Sequence, residues 1–105
     1  MGARFGLFVS TSKLQGDPEF RARVAAAFPK VELDVGRIDR DMEELARRIG
    51  APFIPILPAM QAAGEDTARP LFFGFEDEHW TAAGNAVVAG ALADGIKANA
   101  LVPMD

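Results

Sequence analysis

The sequence predicts an α/β unit, a small parallel sheet flanked by helices. Two apolar runs read as strands, Phe5-Gly6-Leu7-Phe8-Val9 and Pro52-Phe53-Ile54-Pro55-Ile56-Leu57-Pro58, and helical patterns separate and follow them. Strands alternating with helices join through right-handed crossovers into parallel sheets. With 105 residues, 50% of them hydrophobic, residues 1–105 are expected to form a single domain around one core.

The first strand, residues 3–9, has almost no polar residue and reads as buried on both faces. Ser10-Thr11-Ser12 ends it. In Gly16-Asp17-Pro18-Glu19 the aspartate can cap a helix, the proline suits its first turn, and the glutamate complements the helix dipole. Phe20, Val24 and Phe28 give that helix an apolar stripe, and Pro29 stops it. Val31, Leu33 and Val35 alternate with acids, which fits a short exposed strand or an extended connection.

A further helix is marked by Asp41 and Glu44 in capping-box spacing, by Met42, Leu45, Ala46 and Ile49 on one face, and by Gly50 at the C-terminal cap. In the second strand Pro55 cannot donate to a ladder, so this strand belongs at a sheet edge. The stretch 60–70 reads as a surface loop with one helical turn. Thr81 caps the last helix, which runs to about Asn99 and turns Ala83, Val87, Ala91 and Leu92 inward. Two strands are few for a stable sheet, so a third strand or another chain is expected to complete it.

Composition narrows the function. The formal charge of −4 and scattered basic residues disfavour nucleic acid as a partner, and Arg47-Arg48 beside Glu43-Glu44 reads as a solvated helix face. No apolar stretch is long enough to span a membrane, and the opening residues do not spell a secretory leader. The chain has no cysteine, which excludes thiolate chemistry and disulfides.

The segment Phe75-Glu76-Asp77-Glu78-His79-Trp80-Thr81-Ala82-Ala83-Gly84-Asn85 holds the only histidine, between an apolar approach and a helix. An acyl-transfer base needs an imidazole and a carboxylate on its other ring nitrogen, which fixes the tautomer and stabilises the imidazolium. Asp77 and His79, two apart ahead of a helix, can point the same way. The run Asp77-x-His79-Trp80-Thr81-x-x-Gly84, with an Ala- and Val-rich helix after it, resembles the last conserved block of the SGNH (GDSL-type) ester hydrolases. Residues 45–53, 57–60 and 70–73 resemble the helix, last strand and approach loop of that family.

That resemblance implies the C-terminal half of a flavodoxin-like domain, with His79 as general base, Asp77 as its orienting acid, an acyl-ester substrate, and neither metal nor organic cofactor. The family's nucleophile lies in a Gly-Asp-Ser block, and Gly16-Asp17 is followed here by Pro18. Its Gly-x-Asn-Asp block has no counterpart either, since Gly84-Asn85 belongs to the last helix. Ser10 and Ser12, the only serines, follow the first strand. The chain alone is therefore expected to be inactive until a Ser-bearing half completes it.

Two other readings stand beside this one. A non-catalytic module would self-associate through the bare strand edge from Phe5 to Val9. Alternatively, Glu76, Asp77, Glu78 and His79 would hold a divalent metal, although neighbouring side chains diverge along extended backbone. Trp80, Phe72-Phe73 and Phe5-Phe8 suit a core better than an acyl pocket. Nothing in the sequence assigns a compartment.

Overall fold

The computed structural model describes residues 3–74 and 77–102. Among these residues the chain forms five helices, α1 (Lys13–Gly16), α2 (Pro18–Ala27), α3 (Arg37–Ile49), α4 (Leu57–Ala63) and α5 (Ala82–Ala98). There is no sheet among them, which corrects the α/β expectation: the two apolar runs meet in a single isolated parallel bridge, Leu7 opposite Phe53. The Leu7 N–H donates to the Pro52 carbonyl at 2.9 Å, and the Ile54 N–H donates to the Leu7 carbonyl at 2.7 Å.

The prolines explain why pairing goes no further. Pro52 and Pro55 have no N–H to give a ladder, and Leu57-Pro58 already turn the chain into α4, with proline in its first turn. From Leu57 the expected strand thus gives way to a helix, which also takes in the expected loop as far as Ala63. Burial on both faces of the first run is also overturned, because Phe5 and Phe8 are 58% and 42% exposed.

The helix starts follow local chemistry. At α1 the Ser12 hydroxyl accepts from the Gln15 N–H at 3.3 Å and the Gln15 side-chain oxygen accepts from the Ser12 N–H at 3.0 Å, a complete capping box. Asp17 caps α2 through the Phe20 N–H at 3.1 Å, as expected, but no residue of α2 is buried and Phe28 is exposed. Helix α3 starts at Arg37, one turn before the Asp41-Glu44 spacing, with Gly36 at its cap and no side-chain cap bond. Gly50, at φ 73, ends it in the left-handed conformation that glycine adopts without strain. Only Ala46 of α3 is buried, while Ile38, Leu45 and Ile49 face outward. Residues 31–35 form a connection, not a strand.

The core gathers Ile54, Ile56, Met60, Leu71, Phe72 and Val88, with Ala83, Val87, Ala91 and Leu92 of α5 packed against it. Thr81 caps α5, its hydroxyl accepting from the Gly84 N–H at 3.1 Å. A Cβ at Gly84 would collide with the Leu71 carbonyl. That close approach sets where the chain leaves Trp80 to enter α5. The radius of gyration is 15.5 Å, against about 13 Å for a closed domain of this length, in keeping with so much uncovered apolar surface.

Candidate functional site

The candidate site grows from a short closed loop. Phe72 and Trp80 form an antiparallel bridge, with the Phe73 N–H donating to the His79 carbonyl at 3.1 Å and the Thr81 N–H to the Leu71 carbonyl at 2.9 Å. The Thr81 hydroxyl donates to the Pro70 carbonyl at 2.6 Å. These bonds fix both ends of the loop, and Asp77 and His79 leave from its second arm. Phe75 and Glu76, part of the sequence motif, lie outside the described residues.

The two predicted site residues are in contact. Asp77 Oδ1 accepts from the His79 backbone N–H at 2.9 Å and lies 2.7 Å from His79 Nδ1. The first of these bonds, then the ring contact, holds the Asp77 carboxyl below its ordinary range, and the charge of Lys13 adds to the effect. An ionised carboxylate only accepts hydrogen bonds, so the contact favours a proton on Nδ1, and in the neutral ring that tautomer leaves the Nε2 lone pair free. The His79 side chain is 90% exposed, which leaves its outer ring edge open to a reactant.

Beside the imidazole lies a cleft of ≈ 430 Å³ lined by Ser10, Thr11, Ser12, Glu78, His79, Trp80 and Asn85. Its far wall is the segment that follows the Leu7 bridge, tied on by the Trp80 indole N–H, which donates to the Thr11 carbonyl at 3.0 Å. The Ser12 hydroxyl is engaged in capping α1. Ser10 is exposed at the cleft. Trp80 is half-buried against the core, so it serves packing and cleft wall together.

Among the described residues no three acidic, histidine or cysteine side chains gather as a metal site. Asp77 and His79 instead spend their facing atoms on each other. A second cleft of ≈ 310 Å³ opens between the starts of α2 and the 64–72 segment. Two of its acids have local partners, Asp17 as a helix cap and Asp66 as acceptor for the Ala68 N–H.

Sequence reasoning missed Lys13 and its surroundings. The readable signal was Ser12-Lys13-Leu14-Gln15, whose Ser-x-x-Gln spacing announces a helix start and places a cation inside the first turn.

The depressed Asp77 carboxyl has a pH consequence. The folded chain binds this proton less readily than the unfolded chain, so the pairing stabilises the fold above the unfolded value of 3.8 and ceases to do so as pH falls through the lower folded value. The stability difference between the wild type and Asp77→Asn is expected to be constant at higher pH and to shrink in acid, as read by denaturant titration across the acid range. A difference that stays constant down to about pH 2 contradicts the pairing.

Compared with family models, curated proteins and solved structures, the chain matches none. No helix among the described residues is long and apolar enough to cross a membrane.

Proposed function

We propose that this chain supplies the general base and its orienting acid to an SGNH-type serine ester hydrolase or acyl transferase. The observation that carries the reading is the 2.7 Å contact between His79 Nδ1 and Asp77 Oδ1, with the opposite ring nitrogen open beside a cleft. In this reading a serine of a separate Ser-bearing half attacks the acyl carbonyl of an ester. His79 Nε2 takes the serine proton as the bond forms, and the ionised Asp77 stabilises the imidazolium. The same nitrogen then returns the proton to the leaving alcohol oxygen. Donors for the oxyanion come from the other half, and without them roughly 3 to 4 kcal/mol of transition-state stabilisation is missing.

Chain alone and chain plus Ser-bearing half are to be tested with an aryl acetate and a serine-reactive fluorophosphonate. Silence alone, with labelling and turnover on completion, is the expected pattern. Turnover by the isolated chain that His79→Ala abolishes would instead locate the nucleophile within these residues.

A second reading, a self-associating module without catalysis, is favoured by the exposure of Phe5 and Phe8. Both backbone groups of Leu7 are spent on Pro52 and Ile54, so the opposite edge of this run is the one left for another copy. Sedimentation is expected to show a concentration-dependent dimer that Phe8→Lys disperses. A monomer at every concentration rules this reading out.

A further inference from the structure

Lys13 is the one lysine of the chain's three that is withdrawn from water, at 4% exposed, while Lys30 and Lys97 lie open. A buried ammonium is costly unless its protons are taken up, and it goes where acceptors are already fixed. Its Nζ donates to the Phe73 carbonyl at 2.8 Å and the Asp77 carbonyl at 3.5 Å, and lies 5.0 Å from the centre of the Phe20 ring. Phe73 stands on the first arm of the site loop and Asp77 on the second. One cation thus spans the loop from beneath, through a main-chain oxygen on each arm.

We propose that Lys13 is a positioning residue for the Asp77–His79 pair, an internal cation that holds the two arms of the loop together so that carboxylate and imidazole stay in register. The inference rests on reading that pair as orienter and base. Its chemistry is specific. Asp77 turns its carbonyl toward Lys13 and its carboxylate toward His79, so fixing the first restricts the second. Lys13 itself is fixed, because its neighbours Ser12 and Gln15 close the capping box and the Gln15 amide donates to the Val35 carbonyl at 2.7 Å and to Asp39 Oδ1 at 2.9 Å. The Arg21 guanidinium, donating to the Gln15 carbonyl at 2.8 Å, closes the other end of α1. A four-residue helix is too short to be stable by propensity, and these side-chain bonds turn it into a rigid mount.

The test uses the full chain and the tautomer of its single histidine, read by long-range ¹H–¹⁵N spectra above neutral pH. In the wild type Nδ1–H is expected to dominate, and Asp77→Asn is expected to shift the ratio toward Nε2–H. Lys13→Met is expected to lower the Nδ1–H to Nε2–H ratio by about tenfold, the loss of one hydrogen bond to a charged group, and Lys13→Arg to restore it. A folded Lys13→Met chain with the wild-type ratio overturns the proposal, as does a loss that arginine fails to restore, which would assign the effect to packing of the stem. If Asp77→Asn also leaves the ratio unchanged, the pair itself is not held and the hydrolase reading fails separately. Should Lys13→Met not fold, the wild type decides through its lysine nitrogens. A through-bond coupling from Lys13 Nζ to the Phe73 carbonyl carbon supports the mount, and an ammonium exchanging as freely as those of Lys30 and Lys97 overturns it.

Discussion

In the proposed enzyme, completed by a Ser-bearing half, Asp77→Asn is expected to lower kcat by about 10⁴-fold, and His79→Ala by about 10⁶-fold. The two losses have different origins. Alanine removes the proton acceptor, so the serine must attack as a poor, neutral nucleophile. Asparagine keeps the shape but offers an amide that can donate to Nδ1, which favours the tautomer whose Nε2 bears a proton and cannot take another. Because neither change touches acyl recognition, KM is expected to move little. Steady-state kinetics on an aryl ester check this, with fluorophosphonate labelling of the serine as a control that the other half is folded. Retention of activity within tenfold in Asp77→Asn would remove the aspartate from its role, and the same result in His79→Ala would end the hydrolase reading.

The largest effect on stability is expected at Ile56. Its side chain is fully buried, 0% exposed, between the Leu7 pairing and the start of α4. Cutting it to alanine leaves a cavity in the core that it shares with Met60, Leu71 and Val88, at a cost of about 3 to 4 kcal/mol. A domain of this size holds roughly 5 to 15 kcal/mol in all. Thermal unfolding should therefore fall by roughly 10 to 25 °C. Leu45→Ala, on the outward side of α3, is the matching control and is expected to cost less than about 1 kcal/mol. Equal losses at the two positions would mean that the outward face of α3 is covered in solution.

Much of the local structure could be read in advance, and the reason is that caps are local. Asp17, Thr81 and Gly50 act within four residues of themselves, and each marks the helix end that it was expected to mark. The sheet was misread because an apolar run states only that a segment is able to be buried. Whether Phe5 and Phe8 find partners depends on strands that these residues do not provide, and Pro52 and Pro55 limit the one pairing that does form. The second run was also read as strand through Pro58, although Leu57-Pro58 suits the first turn of a helix and α4 starts there. The contact between Asp77 and His79 was legible, since a carboxylate two positions before a histidine meets it through a local turn. Lys13 was out of reach for the opposite reason: its partners lie 60 and 64 residues away, and no local pattern encodes a contact at that range.

The Leu7–Phe53 bridge carries a consequence for motion. One wall of the cleft belongs to residues 10–12 and the other to residues 78–85, and the bonds between the first and the second include the indole bond and, through Lys13, the contacts on the site loop. An extended run joined to its neighbour by one isolated bridge opens more often than a whole domain unfolds. Amide protons of Leu7 and Ile54 should thus exchange with solvent sooner than those in the middle of α5, and each such opening would release the cleft wall together with the Lys13 contacts on the loop that carries Asp77 and His79.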